Sequence, residues 1–375
     1  MKNEKKKRIY ELFAICPPGL EAVCAKELLA LGLIPGERSR GGLAFAGGLD
    51  AIYRANLWLR SASRVLVRLS DWPCRDFPEL YRKALKLPWG SFLRPGRALD
   101  FRVSAAHSRL WHSDRIALSL REAIERSLGP APASSEFEPQ QVFVRFSDDR
   151  CQISLDSSGE LLHRRGYRKD VRQAPLRETL AAGVLQLLGW DGSQGLVDPM
   201  CGSGTFLSEA LLLAQNRPPG RDRDFAFMHW PGYRQGLWND LCRSADGALR
   251  PRPATLPAGY DLDPEAIAAA RRNLERLEGG ESVHLELLDI RDQKPHAPPG
   301  LVICNPPYGE RLGDPEQIRG LYGELGACYR RAFSGWRGAF VAPSRELAAA
   351  TGLNFQETAR LVNGGIPVGL YSGRL

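Results

Sequence analysis

The chain lacks the features that would place it in a membrane, a disulfide scaffold or a metal site. No apolar run reaches the ~18 residues that a spanning helix needs, and no signal-peptide core follows the basic start, so a cytoplasmic location is expected. The 8 cysteines are scattered, with no C-x-x-C pair and no histidines at ligand spacing, so neither a disulfide framework nor a metal is expected. Cys201 and Cys304 have no neighbouring base to make either a nucleophile, which leaves them small packing roles. No internal repeat is present. The glycine turn around Gly202 and Gly204 has no Lys-Ser or Lys-Thr after it, so it is not a Walker loop. Leu207 stands where the dinucleotide fingerprint G-x-G-x-x-G needs its last glycine. Phosphate chemistry is therefore disfavoured.

The chain has 375 residues, enough for two to three domains, with 51 Lys+Arg against 43 Asp+Glu and a formal net charge of +8. The excess is clustered at Lys2, Lys5, Lys6, Lys7 and Arg8, and again at Arg164, Arg165, Arg168, Lys169 and Arg172. The first cluster reads as a solvated tail. The second lies on the linker between the two halves of the chain and is expected to attract a phosphate backbone by counterion release. The stretches 217–221 and 250–253, rich in Pro and Arg, read as surface loops.

The most informative segment is Asn305-Pro306-Pro307-Tyr308, directly after the apolar run Leu301-Val302-Ile303-Cys304. Such a run before a proline stop predicts a buried strand emptying into a loop, which puts Asn305 at a strand's carboxyl end, where open α/β sheets bind ligands. An exocyclic nucleobase amino group is a poor nucleophile because its lone pair is delocalised into the ring. A site that uses it must hold the nitrogen near an electrophile with its N–H groups satisfied. The Asn305 side-chain carbonyl and the Pro306 backbone carbonyl are two suitable acceptors. The prolines stiffen the loop and donate no N–H, and Tyr308 offers a face on which an unstacked base can lie, a contact of roughly 1–3 kcal/mol.

Three further strand-end signals precede it. Gly195-Leu196-Val197-Asp198-Pro199-Met200-Cys201-Gly202-Ser203-Gly204-Thr205 reads as strand, glycine turn and helix, an arrangement that brings backbone amides close to a nucleotide. Asp198 suits a ligand with a cationic or amino-bearing end. Gly259-Tyr260-Asp261-Leu262-Asp263-Pro264 predicts a second strand tipped by carboxylates for ribose hydroxyls, with Asp261 the better placed, and then a helix burying Ile267, Ala270 and Leu274. His284 to Ile290 reads as a third strand ending in an acid, where Asp289 could accept from an adenine amino group while Ile290 packs on the ring. Any one of these acids alone reads as a helix cap or turn residue before it reads as a ligand contact, and it is the four strand-end signals together that point to a site.

The amino-terminal half alternates short strands and single helices. A helix follows Pro17-Pro18-Gly19, a strand covers 43–46, and a second helix runs through Ile52, Leu57 and Leu59. Then come a helix over 80–87, a strand over 99–103, a helix over 113–128 and strands over 142–146 and 152–155. Pattern alone supports two small α+β units handling a substrate.

On these residues the carboxyl-terminal half resembles a class I S-adenosylmethionine-dependent methyltransferase of the amino-methylating type. The whole chain is similar to the bacterial RNA guanine-N2 methyltransferases that carry a THUMP domain, above all the ribosomal large-subunit enzymes. The likeness rests on Leu162-His163-Arg164-Arg165-Gly166-Tyr167-Arg168 with Ala174-Pro175-Leu176-Arg177-Glu178-Thr179, on Asp198-Pro199-Met200-Cys201-Gly202-Ser203-Gly204-Thr205, and on Asn305-Pro306-Pro307-Tyr308-Gly309-Glu310-Arg311-Leu312. The segment Phe227 to Trp238 also resembles that family's insertion after the first helix. The resemblance implies an α/β fold: a Rossmann-like methyltransferase domain at 158–375 with a seven-stranded, mostly parallel sheet, preceded by a ferredoxin-like unit at 8–60 and a THUMP RNA-binding domain at 61–157. It implies S-adenosylmethionine as cofactor, held by His163, Arg165, Gly166, Asp198 to Thr205, Asp261, Leu262, Asp263, Asp289, Ile290 and Asn305. Catalysis would fall to Asn305, Pro306, Pro307 and Tyr308. Structured RNA is the implied partner, gripped by the amino-terminal module and the basic patches, with a monomer and a single methyltransferase domain expected.

Two departures from the family pattern are visible. Met200 stands where the family carries an aromatic residue, and Leu361-Val362-Asn363-Gly364 stands for Leu-Tyr-Asn-Gly, which takes a ring from the region of the target base. Three other readings stay open: a transfer RNA guanine-N2 methyltransferase, a DNA adenine methyltransferase and an RNA-binding assembly factor with an idle cofactor fold. The amino-terminal module and the Gly-Glu-Arg-Leu extension speak against the DNA enzyme, and the intact acids and tetrapeptide against the idle factor.

Overall fold

The computed structural model describes residues 8–129, 137–170, 176–251, 253, 255–294, 298–308 and 314–375. Expectations placed on Lys2, Lys5, Lys6, Lys7, Arg172, Ala174, Pro175 and the 309–312 extension lie outside the described residues. The chain divides into two compact units, each with its own seven-stranded sheet.

The first unit comprises the described parts of 1–15, 25–162 and 223–243. Its strands are β1 (Tyr10–Ile15), β2 (Pro35–Ser39), β3 (Gly42–Gly47), β4 (Arg64–Pro73), β5 (Leu99–Ala106), β6 (Gln140–Ser147) and β7 (Arg150–Asp156), in the order β2-β3-β1-β4-β7-β6-β5. All neighbours are antiparallel except β5 and β6. In β6, buried Gln140, Val142, Val144 and Phe146 alternate with more exposed residues, the two-residue period of a sheet with one covered face. In chain order the helices here are α1 (Glu21–Ala30) from Ala25 onward, α2 (Leu49–Trp58), α3 (Phe77–Ala84) and α4 (Ser113–Leu128). Asp76 caps α3 by accepting from the Glu79 N–H at 2.7 Å, and α4 buries Ile116, Leu120, Ala123 and Ile124.

Strand β4, which the sequence pattern did not yield, is the spine of this sheet: Val67 faces Leu12 of β1 on one edge and Leu155 of β7 on the other. One sheet therefore runs through both amino-terminal modules. Residues 223–243, late in the chain, complete the same unit with aromatic side chains. Phe227 stacks on Tyr53 at 4.4 Å, Trp230 Nε1 donates to Gln140 Oε1 at 2.9 Å, and the Arg234 N–H donates to the Tyr53 hydroxyl at 3.0 Å.

The second unit comprises the described parts of 16–24, 163–222 and 244–375. Its strands are β8 (Leu196–Asp198), β9 (Ala258–Asp261), β10 (His284–Leu287), β11 (Leu301–Cys304), β12 (Arg337–Ala342), β13 (Gln356–Asn363) and β14 (Ile366–Arg374), in the order β10-β9-β8-β11-β12-β14-β13. The first five in that order are parallel, and β14 runs antiparallel between β12 and β13. The helices here are α5 (Glu178–Leu187), α6 (Thr205–Ala214), α8 (Pro264–Leu274), α9 (Pro315–Ala332) and α10 (Arg345–Ala350), while α7 (Gln235–Gly247) belongs to the first unit up to Arg243. Leu301 and Ile303 face one core while Val302 and Cys304 face the other, so β11 is apolar throughout because both sides of the sheet are covered.

From β8 the chain steps outward to β9 and β10, then returns to β11 and continues the other way. That reversal between β8 and β11 opens a crevice outside the carboxyl ends of the strands, the expected ligand position in such a sheet.

Candidate active site

A cavity of about 330 Å³ occupies that position. Its walls include Asp198, Pro199, Met200, Cys201, Gly202, Ser203 and Thr205 from the β8–α6 turn, and Asp261, Leu262 and Asp263 after β9. Asp289 and Ile290 after β10, with Asn305 and Pro307 after β11, complete the predicted set found there. Four separate stretches of sequence thus converge on one space because their strands are neighbours in the sheet.

The turn is tight. Gly202 and Gly204 have φ of +53° and +80°, left-handed values that cost an L side chain, and a Cβ on Gly204 would press Ala270 Cβ at 3.2 Å. The Asp261 carboxylate braces the turn, accepting the Gly202 N–H at 2.8 Å and the Asp263 N–H at 2.9 Å. Asp263 caps α8, accepting the Glu265 N–H at 2.9 Å. Asp198 is 2% exposed and accepts one N–H, from Met200 at 3.1 Å. Burial first, and Asp261 second, push its pKa up to about 8. A ligand that brings a positive charge or N–H donors meets the need of such a carboxylate.

Two buried acceptors on the cavity wall, Asn305 Oδ1 and Ser203 Oγ, have no hydrogen-bond partner among the described residues. A buried acceptor without a donor costs free energy, and a bound ligand's N–H or O–H groups would recover it. Burial holds the Cys201 and Cys304 thiols well above their usual pKa, so neither is a thiolate nucleophile.

Other predicted residues lie elsewhere. Gly204 supports the turn from behind, Pro306 is buried, and His163, Arg165 and Gly166 do not line the cavity. Burial and the surrounding arginines lower the His163 pKa to about 3. Tyr308 is 3% exposed within the core, and its hydroxyl accepts from Asn363 Nδ2 at 2.6 Å, so it offers no open face unless the ring swings out.

The linker arginines require a correction. Arg165 and Arg168 do not form an outward patch: they turn inward to Glu209 and Glu178, each at 3.1 Å, because those acids are themselves buried and need cations. Arg164 and Lys169 of that cluster are exposed.

The cavity is also walled by Leu176, from a motif that carries the resemblance but no expected site role, and by residues not expected in the site: Phe206, Ala266, Leu288, Arg291, Leu321 and Glu324. Phe206, Ala266, Leu288 and Arg291 stand within a few residues of recognised motifs. Leu321 and Glu324 come from mid-helix in α9, where nothing local marks them. Arg291 closes on Asp289 with Nε to Oδ1 at 2.9 Å and Nη2 to Oδ2 at 2.6 Å, and its bonds hold the Asp289 carboxyl down at about 2.

The parallel sheet with one inserted antiparallel strand, the glycine turn and the strand-end acids define a Rossmann-like methyltransferase. Residues 165–371 match the methyltransferase domain described as RMKL-like, and residues 11–66 match the RlmL ferredoxin-like domain. The chain belongs to the RMKL-like methyltransferase family and uses S-adenosylmethionine. It is 35% identical to a provisionally named RNA methyltransferase of Synechocystis sp., over 97% of this chain and 96% of that one. It is 37% identical to the ribosomal RNA large subunit methyltransferase K/L of Methylococcus capsulatus, over 96% of this chain and 50% of that one, so it spans about half the length of that relative. Among solved structures it resembles SMU.472, a provisionally assigned methyltransferase complexed with S-adenosylhomocysteine, with TM-score 0.89, 31% identity and 98% of each chain covered.

Among the described residues no helix is long and apolar enough to cross a membrane, and no group of three His, Cys, Asp or Glu side chains is placed to hold a metal.

Proposed function

We propose that this chain methylates the exocyclic N2 amino group of a guanine in 23S ribosomal RNA, in the cytoplasm. The observation that carries the amino-group assignment is the buried Asn305 Oδ1 on the wall of the cofactor cavity, which has no hydrogen-bond partner among the described residues. The RNA class is supported by the likeness to large-subunit methyltransferases and by the +8 charge.

The residues that suit the cofactor are Asp198 and Ser203 for its amino-acid end, Asp261 and Asp263 for ribose hydroxyls, and Asp289, Ile290 and Met200 for its base. Bound S-adenosylmethionine supplies an electrophilic methyl group on a sulfonium. Asn305, with the Pro306 carbonyl, holds the target amino group by its N–H bonds and thereby aims the nitrogen lone pair. Positioning of this kind is worth ~7–11 kcal/mol when the geometry is right. No strong base is required, because the nitrogen loses its proton after it has become cationic. The guanine must be unpaired or flipped to enter. We further assign 8–60 as the ferredoxin-like unit, 61–157 as an RNA-binding THUMP domain and 158–375 as the methyltransferase domain, of which 223–243 folds into the amino-terminal unit.

The test is incubation with labelled S-adenosylmethionine and total RNA from a strain lacking the protein, followed by fractionation and digestion to nucleosides. Label in N2-methylguanosine of the large-subunit fraction is the expected result. Label confined to transfer RNA, or found in another nucleoside, would overturn the assignment.

A further inference from the structure

Asn273 lies on the last turn of α8, does not line the cavity and is 0% exposed. Its side chain nevertheless joins two segments far apart in sequence. Nδ2 donates to the Ser203 carbonyl at 3.1 Å and to the Asp170 carbonyl at 2.9 Å. Oδ1 accepts the N–H groups of Lys169 and Asp170, each at 3.2 Å, and Arg276 Nη1 at 3.0 Å. Ser203 is the middle residue of the glycine turn and lines the cofactor cavity. Residues 167–170 form a strap that is anchored at several other points: Tyr167 donates to Glu209 at 2.7 Å, Arg168 Nη1 donates to the Leu176 carbonyl at 2.7 Å, and Asp170 pairs with Arg272 and Arg276 at 2.7 and 2.9 Å.

The strap is thus held at several points besides Asn273, and the turn is held on either side of Ser203 by Asp261 at the Gly202 N–H and by the Gly204 N–H to the Cys201 carbonyl at 2.8 Å. Gly202 and Gly204 give the turn its left-handed shape, and a glycine backbone restrains itself less than any other residue's. On the described residues, the Ser203 side chain adds no hydrogen bond of its own. Within Gly202-Ser203-Gly204, the side-chain bonds from described residues come from Asp261, at the Gly202 N–H, and from Asn273, at the Ser203 carbonyl.

We propose that Asn273 is a positioning residue for the cofactor: it fixes the Ser203 peptide against the rigid strap and so presets the turn for binding. The inference concerns the cofactor cavity alone and does not depend on which RNA or base is methylated. An asparagine fits the task because the site needs two donors and an acceptor from one uncharged group, which Ala, Leu and Asp cannot supply.

The test is calorimetric binding of S-adenosylhomocysteine to the full chain without RNA, for Asn273→Ala, Asn273→Asp and a control, Thr351→Val. Thr351 is 1% exposed, bonds the Ala348 carbonyl and does not line the cavity, so its variant reports the cost of a buried polar loss elsewhere in the unit. Asn273→Asp keeps the acceptor facing Lys169 and Asp170 but loses both donors. The expected result is a Kd raised about tenfold in both Asn273 variants, the size of one or two lost buried bonds. Thr351→Val should lower the melting temperature and leave Kd unchanged. A folded Asn273→Ala protein with wild-type Kd would overturn the proposal, as would Asn273→Asp binding like wild type, or Thr351→Val weakening Kd equally.

Discussion

The two walls of the cofactor cavity are built on opposite electrostatic plans. On the inner wall, Asp198, Asp261 and Asn305 are sunk at the strand ends, the two carboxylates bonded to backbone N–H groups and Asn305 Oδ1 to no described residue, and burial drives both carboxyl pKa values up. On the outer wall, Asp289 is held by Arg291, and Glu324 stands beside them in solvent. An inner group without a partner gains most when a ligand arrives, while an outer group already paired gains little. Binding and chemistry should therefore be sensitive at the inner wall and tolerant at the outer one.

The largest effect is expected at Asn305. Asn305→Ala should lower methylation by ~100-fold or more, the scale of removing one transition-state hydrogen-bonding group, while S-adenosylhomocysteine affinity stays within about threefold. Paired single-turnover and calorimetric measurements separate the two. Equal loss of both in a folded protein would place Asn305 in cofactor binding only and erase its distinct role within the inner wall.

Asp198 comes next. Asp198→Asn should weaken S-adenosylhomocysteine about tenfold, since the ligand loses a charged acceptor. It should also change the pH dependence of stability. Because the folded pKa is raised from 3.8 to about 8, the folded state binds more protons than the unfolded one between those values. The contribution is fully present below the unfolded pKa and is lost as pH rises through the folded one. Melting of the cofactor-free protein should therefore fall between about pH 4 and 8, and Asp198→Asn should flatten that slope; an unchanged slope would mean that Asp198 is ionised as found.

Much of the inner wall was legible because its residues sit at strand ends, where an apolar run stopping at Asp, Gly or Asn-Pro is a local signal. The Asp263 cap and the buried face of α8 at Ile267, Ala270 and Leu274 were readable for the same reason. What was hidden depends on distant partners. Arg165 and Arg168 read as a phosphate patch because Glu209 and Glu178, which turn them inward, come later on α6 and α5. Tyr308 read as an open platform because its burial depends on Asn363 at the end of β13. The aromatic segment 223–243 looked like part of the methyltransferase half, yet Phe225, Phe227 and Trp238 are buried around Tyr53 of α2. A fragment of 158–375 should accordingly expose those rings and aggregate, which size-exclusion chromatography would detect; a monodisperse fragment would show that the segment finds cover of its own.

The smallest effect is expected at the outer wall, and it decides whether the contrast between the walls holds. The Asp289–Arg291 pair has side chains 16% and 65% exposed, so solvent screens it and its loss should change stability little. Arg291→Ala nevertheless removes the two guanidinium bonds that hold the Asp289 carboxyl down, and the carboxylate regains acceptor capacity toward the cavity. If Asp289 accepts from the adenine amino group, freeing it should leave S-adenosylhomocysteine binding unchanged or tighter by up to about threefold, whereas Asp289→Ala should weaken it by a similar factor. If Arg291 itself holds the ligand, Arg291→Ala should weaken binding as much as Asp198→Asn does. That outcome would make the outer wall an equal partner in recognition, with the ion pair serving as a preformed clamp.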